Sequence, residues 1–182
     1  MASPGQLVEC VANALGVEIS TVVTHDRNLV GAGLRAKGGR GSSAARMSAH
    51  DAANLLIAAA GAEQVQASVV AVEGFSGLVV IGSLANSPIP GLRAGHTFGE
   101  ALTAFIQAFV DDSFRGADVL ALNFEMKRPA ISASITGFIH DRRIEAIYRP
   151  PTRGERDPPG DLETITRFTQ ATIGAVGQAL RK

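Results

Sequence analysis

Tryptophan is absent from this chain of 182 residues, which has one tyrosine and one cysteine. Aromatic residues make up 5% of the sequence and hydrophobic residues 46%, so a core must consist mainly of Ala, Val, Leu and Ile. The single cysteine, Cys10, excludes an internal disulfide framework and a cysteine-based zinc site. Its position in an apolar helical stretch predicts a small, buried side chain.

Net charge is also absent, because 17 basic residues balance 17 acidic ones. A neutral chain does not fit a general nucleic-acid coat, but it allows a local basic surface. No apolar run approaches the roughly 20 residues that span a bilayer, and no basic-plus-apolar signal opens the sequence. We therefore expect a soluble, cytoplasmic protein with no membrane partner.

The first helix is signalled at residues 4–15. Ser3 can cap it, Pro4 suits its first position, and Gln6 completes a capping box with Ser3. Gly16 follows where a helix end favours a left-handed residue. Helical spacing gives this helix an apolar stripe of Leu7, Val8, Val11 and Leu15.

A second helix is predicted from about Thr21 to Gly31, with Ser20 as its N-cap. Its spacing predicts an inward face of aliphatic side chains, together with the stem of Arg27: Val22, Val23, Leu29 and Val30. The predicted outward face is polar and consists of Thr21, Thr24, His25 and Asn28.

A basic segment begins in this helix and continues beyond it. Five cations and no carboxylate lie between Asp26 and Asp51, namely Arg27, Arg35, Lys37, Arg40 and Arg46. The middle of the segment is a glycine-rich loop that also contains Ser42 and Ser43. A nucleotide-binding P-loop has its lysine after the last glycine, and here Lys37 comes before the glycines. Cations and backbone amides that hold DNA phosphate fit this loop better.

Residues 4–50 resemble the helix-turn-helix superfamily, and the basic glycine loop resembles the wing of winged-helix regulators. The matching positions are Ala12, Leu15, Gly16, Val17 and Thr21–Val22. In that superfamily the second helix enters the major groove of double-stranded DNA. The resemblance implies base contacts from Thr21, Thr24, His25 and Asn28. It implies that four cations hold phosphate or reach a minor groove, namely Arg35, Lys37, Arg40 and Arg46. It also implies DNA contacts from Ser42 and Ser43, and either role for Arg27 if its tip emerges.

The chain departs from this pattern in helix order, because only about three residues precede the first helix. A third helix would have to follow the loop. Residues 48–60 fit it, since Ser48 and Asp51 form a cap before an apolar, alanine-rich run.

The rest of the chain predicts an α+β body. Thr97 and Glu100 form a capping box before a helix at 98–112. Three runs with strand character and short separators then predict an antiparallel meander that packs one face on this helix: 119–127, 130–140 and 144–149. The apolar run within residues 74–82 is expected to form a short strand. Residues 61–73 fit a helix or a strand, and weak strand propensity favours the helix.

A proline-rich connection at residues 150–160 precedes a predicted final helix. Asp161 could cap that helix, whose apolar side would contain Leu162, Ile165, Phe168, Ile173, Val176 and Leu180. The sequence thus predicts an α+β protein in two domains. Residues 1–61 form a winged helix-turn-helix-like head, and residues 62–182 form a body in which a three-stranded antiparallel meander packs with helices.

Motifs for catalysis are weak. The histidines His25, His50, His96 and His140 are scattered and lack the spacing of metal ligands. Ser76 lies in a sequence that departs from the nucleophile elbow at its last glycine. We therefore expect no enzymatic activity, no metal and no cofactor.

These observations predict a sequence-specific protein for double-stranded DNA that regulates transcription as a homodimer or higher homo-oligomer. Two heads on one palindrome gain affinity through effective concentration. Two alternatives stay open. One is a packaging or architectural subunit, similar to phage small terminase subunits. The other is an interaction module of a larger assembly, in which the basic loop contacts an acidic protein. The DNA site, the oligomer number and any effector ligand do not follow from the sequence.

Overall fold

The structure is a computed structural model, and it describes residues 2–37, 46–81, 92–114, 119–151 and 162–181. The helices are α1 (Pro4–Leu15), α2 (Ile19–Gly31), α3 (Ala49–Gly61), α4 (Ser68–Ser76), α5 (Phe98–Val110) and α6 (Gln170–Arg181). The strands are β1 (Val79–Ile81), β2 (Val119–Arg128), β3 (Ser132–Ile139), β4 (Arg142–Arg149) and β5 (Thr164–Thr169). A 3₁₀ turn at Val65–Ala67 leads into α4.

Local signals set most of the helix ends. Capping boxes form at the starts of α1, α3 and α5, and each joins a hydroxyl residue to the acidic or amide residue three positions later. Gly16 ends α1 in the left-handed conformation, with φ 66°. The predicted cap at Ser20 is wrong. Helix α2 begins one residue before it, and Glu18 occupies the N-cap without a side-chain hydrogen bond.

All five strands form one antiparallel sheet in the order β1-β4-β3-β2-β5. The three strands predicted from the sequence are neighbours in it, but β1 and β5 extend the sheet on both sides. The prediction of one helix from residue 162 onward is wrong, because Thr164–Thr169 pair with β2 and α6 begins at Gln170. Four of the six residues in Thr-Ile-Thr-Arg-Phe-Thr are β-branched, which favours a strand.

The sheet has one apolar face and one polar face. The apolar face includes Phe124, Tyr148 and Phe168, and helices cover it. The ring of Phe105 on α5 meets Phe124 edge-on at 5.1 Å between centroids, and Phe98 meets Tyr148 at 5.4 Å. Side chains of the other face are exposed or half-buried. One face is therefore packed against helices, as the alternation in the middle strand predicts.

Gly137 makes close contact between β2 and β3 possible. The β2–β3 register shifts between Leu120 and Asn123, and Gly137 lies against this irregularity with φ 146°. A Cβ at Gly137 would lie 2.7 Å from the carbonyl oxygen of Ala121. Only glycine fits this position without displacement of the neighbouring strand.

Both predicted domains contribute to one hydrophobic cluster. Helix α1 packs against α2 and also against α6, while α3 packs against α4 and α5. The buried side chains of residues 2–61 and of residues 62–180 belong to the same cluster. The proposed boundary after Gly61 coincides with the end of α3, but it does not separate two cores.

Candidate nucleic-acid interface

Helix α2 has a solvent-facing side, though not the one predicted. Ser20, Thr24, Arg27 and Gly31 recur at helical spacing; Thr24 is half-buried and the other three are exposed. The tip of Arg27 does emerge, because this residue is exposed. Thr21 is half-buried, as is Thr24, whose hydroxyl donates to the carbonyl oxygen of Ser20 at 2.9 Å.

The prediction that His25 and Asn28 face outward is wrong. His25 is 3% exposed, and its Nδ1 lies 2.8 Å from the Ser68 hydroxyl oxygen at the start of α4. The Asn28 amide donates to the carbonyl oxygen of Val65 at 2.7 Å and to the Ser68 hydroxyl at 3.2 Å. Both side chains thus hold α2 against the turn before α4. Their partners lie 37 or more residues away, so helical spacing alone does not reveal the contact.

The Ser68 hydroxyl assigns the protonation of this network. It donates to the Val65 carbonyl oxygen, so it accepts from His25, whose Nδ1 then carries the proton. Burial lowers the pKa of His25, which favours the neutral ring. The network is therefore a neutral, buried link between α2 and α4.

Arg35 is also structural and does not reach solvent as a phosphate ligand would. Its guanidinium forms a bidentate ion pair with Asp26 of α2, with Nε donating to Oδ1 at 2.6 Å and Nη2 donating to Oδ2. A third hydrogen bond runs from Nη1 to the carbonyl oxygen of Ala36 at 2.7 Å. The arginine side chain is 5% exposed and the aspartate side chain 13%. The guanidinium is therefore occupied inside the fold, which does not favour the phosphate contact that the sequence predicts for Arg35.

One carboxylate joins both ends of the basic segment. Asp51 accepts from the Ala36 N–H at 2.8 Å through Oδ1. Through Oδ2 it accepts from the Ser48 N–H at 2.9 Å and from the Ser48 hydroxyl at 2.6 Å. The chain thus contacts the same carboxylate at Ala36 and again at Ser48. We call residues 37–46, which lie between Ala36 and the buried Met47, the tethered loop.

Further contacts fix the two ends of the tethered loop. Before it, the Asn54 amide donates to the carbonyl oxygen of Leu34 at 2.7 Å. After it, the Met47 N–H donates to the carbonyl oxygen of Ala2 at 3.1 Å, and the Met47 side chain is 3% exposed. The two ends therefore have defined positions on α3 and α1.

The hydrogen bonds to Asp51 keep it ionised. Burial by itself raises the pKa of this carboxyl group, but the hydrogen bonds from the Ser48 hydroxyl and the Ala36 and Ser48 N–H groups, with the charge of His50, lower it more. The net pKa lies below the ordinary value of an aspartate. The sequence predicts Asp51 only as part of a helix cap, because its hydrogen bond from the Ala36 N–H depends on the path of the chain between the two residues.

The remaining predicted contacts divide into two groups. Lys37 and Arg46 are exposed at the two ends of the tethered loop. Arg40, Ser42 and Ser43, with the rest of the predicted wing, lie outside the described residues. Within the part of the chain that the structure describes, Arg27 and Lys37 have no ion-pair partner.

A cavity of about 620 Å³ lies at the start of α5. Its wall includes His50 of α3, Ser76 of α4 and the stretch from Leu92 to Thr97. His96 in this wall is bonded at both ring nitrogens, with Nδ1–H donating to the Arg93 carbonyl oxygen at 2.8 Å and Nε2 accepting from the Tyr148 hydroxyl at 2.9 Å. Burial raises the pKa of Tyr148, which keeps the hydroxyl protonated. His96 thus joins the start of α5 to the sheet.

The described residues contain no group of three or more His, Cys, Asp or Glu side chains that could hold a metal ion. None of the helices within them has the length and apolar character needed to cross a membrane.

Comparison with known proteins gives no relative. No family model matches the chain, and no significant match is found among curated proteins or solved structures. The likeness to the winged helix-turn-helix superfamily therefore stays a prediction based on residues 4–50.

Proposed function

We propose that this protein binds double-stranded DNA through the solvent-facing side of α2 and the adjacent tethered loop, and that it regulates transcription as a dimer. The observation that carries the proposal is the Asp51 tether, which presents a cationic loop with both ends fixed beside α3. Fixed ends reduce the conformational entropy that a loop loses when it binds a ligand.

Charge supports the same surface. The Arg35–Asp26 pair neutralises the one carboxylate that α2 carries within its helical span, which leaves Arg27 as an exposed positive charge on that helix. Lys37 and Arg46 add two more exposed cations at the ends of the tethered loop. Cations that contact phosphate supply most of the salt-dependent affinity for DNA.

The roles within this surface differ from those predicted by the sequence. Arg27, Thr24 and Thr21 are the side chains of α2 that could reach base edges, since arginine pairs with guanine and threonine contacts thymine methyl groups. His25, Asn28 and Arg35 support the surface from inside. Lys37, Arg46 and the residues between them would hold phosphate.

The first experiment measures fluorescence anisotropy of the purified protein with labelled random duplex at about 50 and 200 mM salt. Phosphate contacts from Lys37 and Arg46 alone predict a loss of roughly 12-fold in affinity over this range, because each contributes a slope of about 0.9. Lys37→Ala and Arg46→Ala should each flatten the slope by about 0.9. Arg181→Ala is the matched control, because Arg181 at the end of α6 is an exposed cation that pairs with Asp112.

Two outcomes separate this proposal from its alternatives. No binding at the lower salt would refute it, and the tethered loop would then be a docking surface for an acidic protein. Salt-dependent binding by a ring of many subunits would instead indicate a packaging-type subunit. A specific site can then be selected from a library, where Arg27→Ala should relax the preference at one base pair while Lys37→Ala weakens all sequences equally.

A further inference from the structure

The polar face of the sheet exposes an unusual amount of apolar surface. Seven large hydrophobic side chains are exposed among the described residues, and four of them lie on this face: Ile81, Phe138, Ile147 and Ile165. When one face of a sheet meets only water, each strand alternates between apolar residues on the packed face and polar residues on the solvated face. Ile81 and Ile147 are paired neighbours, whereas Phe138 and Ile165 lie farther out on the same face. Exposed apolar patches are typical of a protein interface.

Strand pairing arranges this face in rows. The middle row runs Ile81–Ile147–Ser134–Glu125–Arg167 across all five strands. On one side of it lies Arg149, and on the other lies Glu145, each two residues from Ile147 along β4. The centre of the face carries small hydroxyl side chains, which allow another surface to approach closely.

We propose that this face binds the same face of a second copy of the chain, about a twofold axis that runs across the strands along the middle row. This axis places Ile147 against Ile147 and Ser134 against Ser134 of the second copy. It also exchanges the two neighbouring rows, so Arg149 of each copy lies opposite Glu145 of the other. This inference does not depend on DNA binding.

The charges of the face agree with this axis. Arg149 has no ion-pair partner among the described residues. Glu145 pairs with the exposed Arg143 of its own strand at 3.1 Å, so Arg149 of the second copy would join this pair as a second cation. Glu125 and Arg167 form an ion pair at 2.6 Å within one copy, so the end of the middle row has no net charge. The axis therefore brings opposite charges together without opposing two unpaired like charges.

The size of the face also fits a dimer. The strands β1 to β5 are 3, 10, 8, 8 and 6 residues long, and at about 3.3 Å per residue and 4.8 Å between strands they cover roughly 550 Å² in projection. Side-chain relief increases the accessible area, which brings it close to the roughly 800 Å² per partner of a standard interface.

Sedimentation of the full chain without DNA tests the proposal. At tens of micromolar, we expect a dimer for the wild type and a dissociation constant raised roughly 30-fold or more for Ile147→Glu, as for an interface hot spot. Val70→Glu is the matched control, because Val70 is 70% exposed on α4, away from the sheet. A monomeric wild type, or an Ile147→Glu variant that dimerises like the wild type, would overturn the proposal.

A charge exchange tests the axis itself and does not depend on the folding of Ile147→Glu. Arg149→Glu alone and Glu145→Arg alone should each weaken self-association at least tenfold, because each homodimer opposes two like charges. Mixing the two variants should restore the dimer, since both contacts then join opposite charges. Failure of the mixture to dimerise would overturn the proposed axis. DNA binding is measured in a separate experiment, so failure of the sheet-face contact and failure of DNA binding give different results.

Discussion

Arg35 offers the sharpest test of the structure, because sequence and structure assign it different roles. A phosphate ligand on a flexible loop contributes little to folding, whereas the structure pairs this arginine with Asp26 in a site where the two side chains are 5% and 13% exposed. Removing one partner of a buried ion pair typically costs about 3–5 kcal/mol, because the other charge remains buried and unpaired. The partial exposure of Asp26 places the expected cost for Arg35→Met near the lower end, at about 3 kcal/mol.

A double-mutant cycle by urea denaturation at neutral pH measures this energy. Arg35→Met and Asp26→Asn should each lower the free energy of unfolding. The double variant should lose less than the sum of the two, with an interaction energy of about 2 kcal/mol. The reason is that the double variant buries no unpaired charge.

DNA binding completes the test of Arg35. At a temperature where Arg35→Met remains folded, its salt slope for DNA should equal that of the wild type, in contrast to Lys37→Ala. A loss of stability below about 1 kcal/mol, or additive effects of the two substitutions, would refute the ion pair. A slope reduced by about 0.9 would instead support the phosphate contact that the sequence predicts.

Three further predictions concern stability, and each is measured by urea unfolding. Asp51→Asn should cost about 1–3 kcal/mol of the free energy of unfolding at pH 7. Because the folded pKa of Asp51 is lowered, this cost should shrink as pH falls below the unfolded pKa of 3.8 and through the folded pKa. A pH-independent cost would contradict the prediction. The free energy of unfolding of the wild type should fall as pH drops below about 6.5, because the pKa of the buried His25 is lowered and the unfolded chain takes up the proton first. An equal pH dependence in the His25→Gln variant would contradict this. Gly177→Ala should cost about 1–3 kcal/mol, because its Cβ would lie 2.5 Å from the Cβ of Phe109. Gly174→Ala, whose nearest contact is 3.4 Å, should be neutral or stabilising, and equal effects at the two glycines would be the contrary result.

The parts of the fold that the sequence predicted depend on contacts close along the chain. The capping boxes at Ser3, Ser48 and Thr97 join residues three positions apart, so they are visible in the sequence itself. The turn at Gly16 and the central strands have similar local signals. The start of the final segment was missed because Thr164–Thr169 has apolar residues that fit a helix face as well as a strand, and only pairing with β2 decides between them.

The candidate interface was harder to predict because its side chains form hydrogen bonds and ion pairs with residues distant along the chain. Thr24, His25 and Asn28 are all polar, yet Ser68 and Val65 bind His25 and Asn28 while the Thr24 hydroxyl bonds within its own helix. Arg35 and Lys37 lie two residues apart in the same basic segment, and the position of Asp26 makes one internal and leaves the other exposed. A count of charges therefore locates the basic segment without showing which cations are available.

Because of the Asp51 tether, the sequence of the loop can change without a change in the rest of the fold. Because Ala36 and Ser48 both contact the Asp51 carboxylate, we expect changes within residues 37–46 to leave the packing of α2 and α3 in place. Loop length has a small effect on closure entropy, about 0.6 kcal/mol for each doubling. Segments of other length or sequence grafted between Ala36 and Met47 would therefore give a family of proteins with one scaffold and different binding preferences.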